Sequence, residues 1–188
     1  FFRMPLKKKS VPVPWDLTAS YRKGTALAPF AIRDASYQLD DVFFYNHFKE
    51  NQGAAFLNSV DPIIQLQKKY NVAAIQYINQ RHENQTLSTD QYQTCHAITQ
   101  ACSKMNDWVY AMTDRFSAQS TILLGGDHSV IFGHVNALTK HRKKPVSLFN
   151  LDAHLDLRKS YISKKNRQFK INATEKVILE KMVNSPGK

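Results

Sequence analysis

Two short apolar runs in this chain each end in residues of the types that bind metal ions. Residues 121–124 lead into Gly-Gly-Asp-His-Ser at 125–129, and residues 146–151 lead into Asp-Ala-His-Leu-Asp at 152–156. Alternation along an extended backbone would put the three possible ligands of the second motif, Asp152, His154 and Asp156, on one side. Carboxylate and imidazole groups together suit Mn²⁺, Zn²⁺ or Fe²⁺ better than Ca²⁺. Several carboxylates in one site could bridge two ions, and such a pair can hold a hydroxide nucleophile at neutral pH.

Each motif taken alone has a simpler interpretation. A histidine that follows two glycines, such as His128, is more often a hydrogen-bonded turn residue, and an isolated Asp-X-His-X-Asp run is more often a solvated strand edge. The two motifs together, at the ends of two neighbouring strands, favour a metal site, because ligands of parallel sheets bind beyond the carboxyl ends of the strands.

The elements that must position these residues form a strand, a helix and a strand. Residues 121–124 predict a buried strand, 129–141 a helix, and 146–151 a second buried strand after Pro145. A βαβ unit of this length predicts two parallel strands joined by a right-handed crossover.

The rest of the chain predicts helices more clearly than strands. A long amphipathic helix is expected from an N-cap at Ser88 or Thr89 to about Arg115, where apolar residues recur at spacings of three and four. The two prolines in residues 11–17 favour a strand end or a loop over a central strand. The remaining expectations are helices at 29–39, 62–70 and 175–182, strands at 43–45 and 72–78, and a basic loop at 159–170.

Composition narrows the class of protein. The 188 residues suit one domain, and no apolar run approaches the ~18 residues of a membrane span. The net charge of +11 comes without aromatic residues interleaved among the basic ones, which argues against nucleic-acid binding. Cys95 and Cys102 lie too far apart on a helix to form a disulfide, which favours a reducing, cytoplasmic setting. The first residue is Phe1, so we expect the sequence to begin inside a longer reading frame.

The two metal-type motifs at their spacing resemble the central signatures of the ureohydrolase family, which includes arginases, agmatinases and formiminoglutamases. Three N-terminal stretches resemble the agmatinase-type opening: Val-Pro-Trp-Asp at 13–16, Arg-Lys-Gly-Thr at 22–25, and residues 29–37. Asp-Leu-Arg at 156–158 is similar to agmatinase-type or formiminoglutamase-type members. The resemblance covers residues 11–39 and 119–158, whereas residues 40–118 agree only in layout.

The resemblance implies a three-layer αβα fold with a mainly parallel sheet, a pair of Mn²⁺ ions, and a metal-bridging hydroxide that attacks a guanidinium carbon and releases urea. Carried over by position, His128, Asp152 and Asp156 would hold one Mn²⁺, Asp152 would bridge, and His154 would hold the other. Asp152 and His154 are the predicted catalytic residues, and the predicted supporting residues are Asp127 and Ser129. No substrate-binding residue is predicted, because the nearest match to the family's substrate-side Ser-His-Gly/Ala-Thr stretch has Asn172 in place of the histidine.

The chain also departs from the pattern that the resemblance implies. The family's later Asp-X-Asp motif is absent, which leaves four of six expected ligands. We therefore expect a single truncated domain over residues 1–188 that lacks its C-terminal strands and is inactive alone.

Three interpretations of the function stay open. They are an agmatinase-like enzyme that converts agmatine and water to putrescine and urea, a non-catalytic relative that acts as a binding or regulatory subunit, and a basic binding module. The family usually forms trimers or hexamers.

Overall fold

The computed structural model of the chain describes residues 8–19, 22–38, 55–82, 88–116 and 120–140, together with residues 147, 149 and 151. Within them the strands are β1 (Lys8–Val13), β2 (Ala55–Phe56) and β3 (Ser120–Gly125). The helices are α1 (Ala28–Ser36), α2 (Asp61–His82), α3 (Thr89–Arg115) and α4 (Ile131–Lys140). Two 3-10 turns, Thr25–Leu27 and His128–Val130, lead into α1 and α4.

The strands form a parallel sheet in the order β2-β1-β3, so β1 is the middle strand. The expectation that the prolines keep this segment out of a central strand is wrong. The Ser10 carbonyl accepts a hydrogen bond from Leu57 N on the β2 side. Backbone polar groups alternate in direction along a strand, so Pro12 N points to the same side, where β2 has already ended. Pro12 therefore costs the sheet no hydrogen bond to β2.

Helices cover the sheet on both faces. Residues 10–16 are all buried, and because successive side chains of a strand point to opposite faces, neither face of β1 is open to solvent. Helix α1 packs on β1 and β3, α3 packs on β1, and α4 packs on β3. This confirms the predicted αβα layering. The core joins Val13 and Trp15 to α2 and α3, where Ile63, Met105 and Val109 are each fully buried.

Helix α2 replaces two predicted elements. The sequence predicted a short helix at 62–70 and a strand at 72–78, but one helix runs from Asp61 to His82, so the strand prediction is wrong. The apolar spacing of three and four that begins at Ile63 continues through Tyr70 to Ala74, which is buried. Val72 is 65% exposed. The segment thus has one buried apolar stripe with helical spacing. Val72, which favours a strand by its residue type, lies on the outer face and makes no core contact that would oppose the helix.

Helix α3 begins and ends where the sequence predicts. Ser88 is its N-cap in a capping box: Gln91 N donates to Ser88 Oγ (3.4 Å), and Ser88 N donates to Gln91 Oε1 (2.6 Å). The capping box thereby satisfies two of the four backbone donors that lack partners at a helix N-terminus. The two cysteines lie on this helix as free thiols, as their spacing predicts. Burial raises the pKa of Cys102 to about 12, so its thiol is inert at neutral pH.

Helices α3 and α4 meet at a glycine. A Cβ on Gly133 would lie 2.3 Å from the Asn106 carbonyl oxygen, so only glycine allows the observed approach. Asn106 joins the two helices, because its Oδ1 accepts from Gly133 N (3.2 Å) and its Nδ2 donates to the Cys102 carbonyl (3.1 Å). The predicted helix at 129–141 is confirmed as a 3-10 turn followed by α4, and the Asn106 contact fixes where α4 lies.

The second predicted strand, at 146–151, is not seen where the structure describes this segment. Residues 147, 149 and 151 lie outside any strand, and Phe149 and Leu151 are 84% and 86% exposed. A buried strand needs a hydrogen-bonded neighbour and a covered face, and these side chains have no such cover. The predicted elements at 43–45, 159–170 and 175–182 lie outside the described residues. Among the helices that the structure does describe, none is long and apolar enough to cross a membrane.

His134 makes the α3–α4 contact sensitive to pH. Its Nδ1 lies 2.9 Å from Thr113 Oγ1, and burial lowers the pKa of the imidazole from its ordinary value of 6.5. The unfolded chain therefore takes up a proton at a higher pH than the folded protein does. The free energy of unfolding should be highest above the ordinary pKa and should fall as pH drops from about 7.5 to 5.5. Urea denaturation across this range measures the decrease.

Two variants isolate the His134 contribution. In His134→Gln, the part of the decrease that comes from this imidazole should disappear. In His96→Gln the change falls on an exposed histidine of α3, so the decrease should persist. Equal pH dependence in His134→Gln and in the unmodified protein would contradict the role of this imidazole.

Candidate metal centre

The first metal-type motif lies at the carboxyl end of β3. The strand ends at Gly125, Gly126 follows, and His128 opens the 3-10 turn that leads into α4. The imidazole of His128 belongs to an exposed residue, whereas Val130 of the same turn is buried. The strand end thus presents one possible metal ligand to solvent and secures the turn behind it in the core.

Gly126 is required by the close approach of β1. A Cβ at this position would lie 1.8 Å from the Trp15 carbonyl oxygen and 2.7 Å from the Trp15 carbonyl carbon. The same carbonyl accepts a hydrogen bond from Asp127 N at 2.9 Å. The ends of β1 and β3 are therefore joined directly by backbone, with no space for a side chain between them.

The carboxylate of Asp127 is fully occupied by protein donors. Its Oδ1 accepts from Ser129 N (3.0 Å) and Ser129 Oγ (2.6 Å), which closes a turn around His128. Its Oδ2 accepts from Thr18 N (3.1 Å) and Thr18 Oγ1 (2.5 Å). Four donors leave this carboxylate poorly suited to bind a metal ion directly. They match what the predicted supporting role of Asp127 and Ser129 would require, and that role stays a prediction.

The loop that follows β1 is held by a second aspartate. Asp16 is 2% exposed, and its Oδ2 accepts from Gly24 N (2.7 Å) and Ala26 N (3.3 Å). Its Oδ1 accepts from Gln67 Nε2 at 2.5 Å, and its own N donates to Gln67 Oε1 at 3.0 Å. Asp16 therefore ties the loop both to the turn before α1 and to α2.

Lys23 places a cation beside these two aspartates. Its Nζ donates to the carbonyls of Asp16 (2.5 Å) and Leu17 (3.1 Å). Burial lowers the pKa of Lys23, and the charges of Asp16 and Asp127 oppose that decrease. The ammonium group thus stabilises the loop through backbone acceptors.

The second motif lies outside the described residues. Asp152, His154 and Asp156 have no described position, so their predicted roles stay predictions. In the described ranges there is no group of three or more His, Cys, Asp or Glu residues that could hold a metal ion. The fit to a metal ion therefore rests on the exposed imidazole of His128 and on the donor types of the second motif, which the sequence alone supplies.

Sequence reasoning missed three residues of this site. No role was predicted for Thr18, Asp16 or Gln67, although Asp16 and Thr18 lie in the loop that follows the buried strand β1. Polar residues at the carboxyl end of a parallel strand are a usable signal, because such ends surround binding sites. No comparable signal marked Gln67, which is one of several polar residues on a long helix.

Comparison with known proteins identifies the ancestry of this arrangement. The sequence model described as Arginase family matches residues 10–173, which include most of β1, the Asp16 loop and both metal-type motifs. The chain belongs to the arginase family. This confirms the resemblance to the ureohydrolase family, and the described strands and helices agree with an αβα fold of the arginase type.

Two curated relatives are similar at low identity. N(1)-aminopropylagmatine ureohydrolase of Synechocystis sp. is 24% identical over 151 residues, which is 80% of this chain and 40% of that protein. An uncharacterised 32.2 kDa protein of Methanothermus fervidus is 25% identical over 154 residues, which is 81% of this chain and 41% of that protein. The chain thus spans about two fifths of the length of these two relatives. No solved structure matches.

Replacing Gly126 tests whether the backbone contact holds this site of the arginase-family chain. Gly126→Ala would push a Cβ into the Trp15 carbonyl, and overpacking against rigid backbone should cost about 3 kcal/mol or more. Gly24→Ala is the matched control. Nothing lies within 4 Å of its added Cβ, so it carries only the strain of φ +119°, about 1–2 kcal/mol. Urea denaturation of both variants gives the comparison, and equal losses would contradict the contact.

Proposed function

We propose that this chain belongs to a metal-dependent hydrolase of linear C–N bonds in guanidino compounds, with agmatine as the substrate and putrescine and urea as the products. The match to the arginase family over residues 10–173 carries the proposal, since it includes both motifs with metal-ligand residue types. The name of the Synechocystis relative supports the substrate class, because that protein is a ureohydrolase of an agmatine derivative.

The proposed cofactor is a pair of Mn²⁺ ions. His128, Asp152 and Asp156 would hold one ion, Asp152 would bridge, and His154 would hold the other. When bound, such a pair lowers the pKa of water so that a nucleophile exists at neutral pH. His128 takes part as the middle residue of the turn that Asp127 closes onto Ser129, so its backbone is restrained on both sides.

The guanidino substrate brings a planar cation to this strand end. Asp152 and His154 are the proposed catalytic residues, because they would hold the ions that supply the nucleophile. Asp127 contributes by holding His128, since its own oxygens are occupied. We further propose a cytoplasmic location, which the two free thiols support.

Metal titration tests the proposed centre on the chain itself. Mn²⁺ binding measured by calorimetry should weaken at least about tenfold in His128→Asn, because even loss of an outer partner of a metal ligand costs 10–100-fold in affinity. His96→Asn alters an exposed histidine on α3 and should leave the affinity unchanged. Equal affinity in the two variants would remove His128 from the proposed ligand set.

Urea release tests the reaction. The protein encoded by the complete reading frame, loaded with Mn²⁺, should release urea from agmatine faster than from N(1)-aminopropylagmatine or arginine. The 188-residue chain alone should release none. Mn²⁺ binding by the complete protein without urea release from any of the three compounds would instead favour a non-catalytic binding or regulatory subunit.

A further inference from the structure

Helix α2 makes a two-point contact with the loop after β1. The Gln67 amide donates from Nε2 to Asp16 Oδ1 and accepts at Oε1 from Asp16 N. The amide thus contacts both the side chain and the backbone of one residue, and its orientation is determined by that pairing. Fifty-one positions separate the two residues in the chain, so this contact sets the tertiary position of the loop.

The same loop touches the metal-type motif at both of its ends. Trp15, next to Asp16, accepts from Asp127 N at 2.9 Å. Thr18, two residues further on, donates through N and Oγ1 to Asp127 Oδ2. A shift of Asp16 would therefore move the two partners of Asp127 that lie on this loop, Trp15 and Thr18, together. Since Asp127 also closes the turn around His128, the shift would reach the imidazole.

The loop is also held on the side of α1, through the other carboxylate oxygen of Asp16. Asp16 Oδ2 accepts from Gly24 N and Ala26 N, so the carboxylate is held by α2 on one oxygen and by the turn before α1 on the other. A buried polar group with every partner in place is rigid, and losing one partner leaves an unsatisfied group. The position of the loop therefore depends on the match of hydrogen-bond donors and acceptors between Asp16 and Gln67.

We infer that Gln67 and Asp16 are positioning residues that hold His128 in place for metal binding, through Thr18 and Asp127. The inference deepens the proposed function and rests on it for the role of His128 as a ligand. Neither Gln67 nor Asp16 is a member of the predicted ligand set, and Gln67 lies on a helix far along the chain from both motifs. The contact path consists of the hydrogen bonds described above.

A donor–acceptor exchange tests the inference. In Asp16→Asn alone, two donors face each other in either orientation of Gln67. The new side-chain amide nitrogen meets Gln67 Nε2, or, if Gln67 turns over, Nε2 meets the backbone N at position 16. In Gln67→Glu alone, two carboxylates face each other. In the double variant, the amide introduced at position 16 would donate to the carboxylate introduced at position 67 and accept from Gly24 and Ala26. The backbone N at position 16 would still donate to that carboxylate. Every hydrogen bond between positions 16 and 67 is then made again, with the side-chain pair exchanged in direction, and only the long bond from Gln67 Nε2 to Asn71 Oδ1 (3.4 Å) is lost. The double variant should therefore recover what the single variants lose.

Two measurements follow the exchange in the full 188-residue chain. The NMR resonances of the His128 imidazole, assigned with His128→Gln, report its position without metal. Calorimetric titration with Mn²⁺ reports affinity. Each single variant should shift the His128 resonances and weaken Mn²⁺ binding about tenfold or more, the lower end of the effect of outer partners of metal ligands. The double variant should restore both. Gln65→Glu, on an exposed position of α2, is the matched control and should change neither.

The outcomes separate this inference from the proposed function. Single variants that lower the urea-denaturation midpoint but leave the His128 resonances in place would overturn the positioning role, and so would a double variant whose losses simply add. If the unmodified chain binds no Mn²⁺, the proposed metal centre fails on this chain. The imidazole resonances then still decide whether Gln67 and Asp16 position His128.

Discussion

The four hydrogen bonds to the Asp127 carboxylate hold the ends of β1 and β3 in one structure. They join Thr18, which follows β1, to Ser129, which follows β3. Gly126 permits this arrangement because it lets the Trp15 carbonyl reach Asp127 N. A parallel pair of strands has no hairpin at this end, and here the contacts beyond the strands join the two chain segments. The rest of the described fold packs around this junction.

Local signals predicted the elements whose stability is local. Helix α3 was predictable because its capping box and its apolar spacing both lie within one stretch of sequence. The end of β3 was predictable because a β-branched and leucine-rich run meets a pair of glycines. In α2, by contrast, Val72 and Ile75 resembled a strand in composition. The longer apolar stripe from Ile63 to Ala74 has helical spacing and is buried by tertiary contacts. The segment is therefore a helix.

Contacts between distant segments explain what the sequence could not predict. Pro12 is acceptable in a middle strand only because β2 stops before it, and β2 is two residues long with no pattern of its own. The pairing of Asp16 with Gln67 depends on where α2 packs, which no spacing within α2 reveals. The apolar run at 146–151 predicted a strand from its own residues. A buried strand also needs a paired neighbouring strand and a covered face, whereas the side chains of Phe149 and Leu151 are exposed.

The different partners of Asp127 and His128 clarify what the family motif does. Both residue types can bind metal ions, but the resemblance gives only His128 the role of a ligand and gives Asp127 a supporting role. The structure distinguishes them, since the Asp127 oxygens are occupied by four protein donors while His128 lies exposed in the turn that those bonds close. A carboxylate that is satisfied within the protein can restrain a neighbouring imidazole without competing for the cation. Asp16 plays a similar part further from His128. Its carboxylate is also satisfied by protein donors, and it holds the loop that in turn contacts Asp127. Precision at the exposed strand end thus comes from buried polar groups whose donors and acceptors are matched.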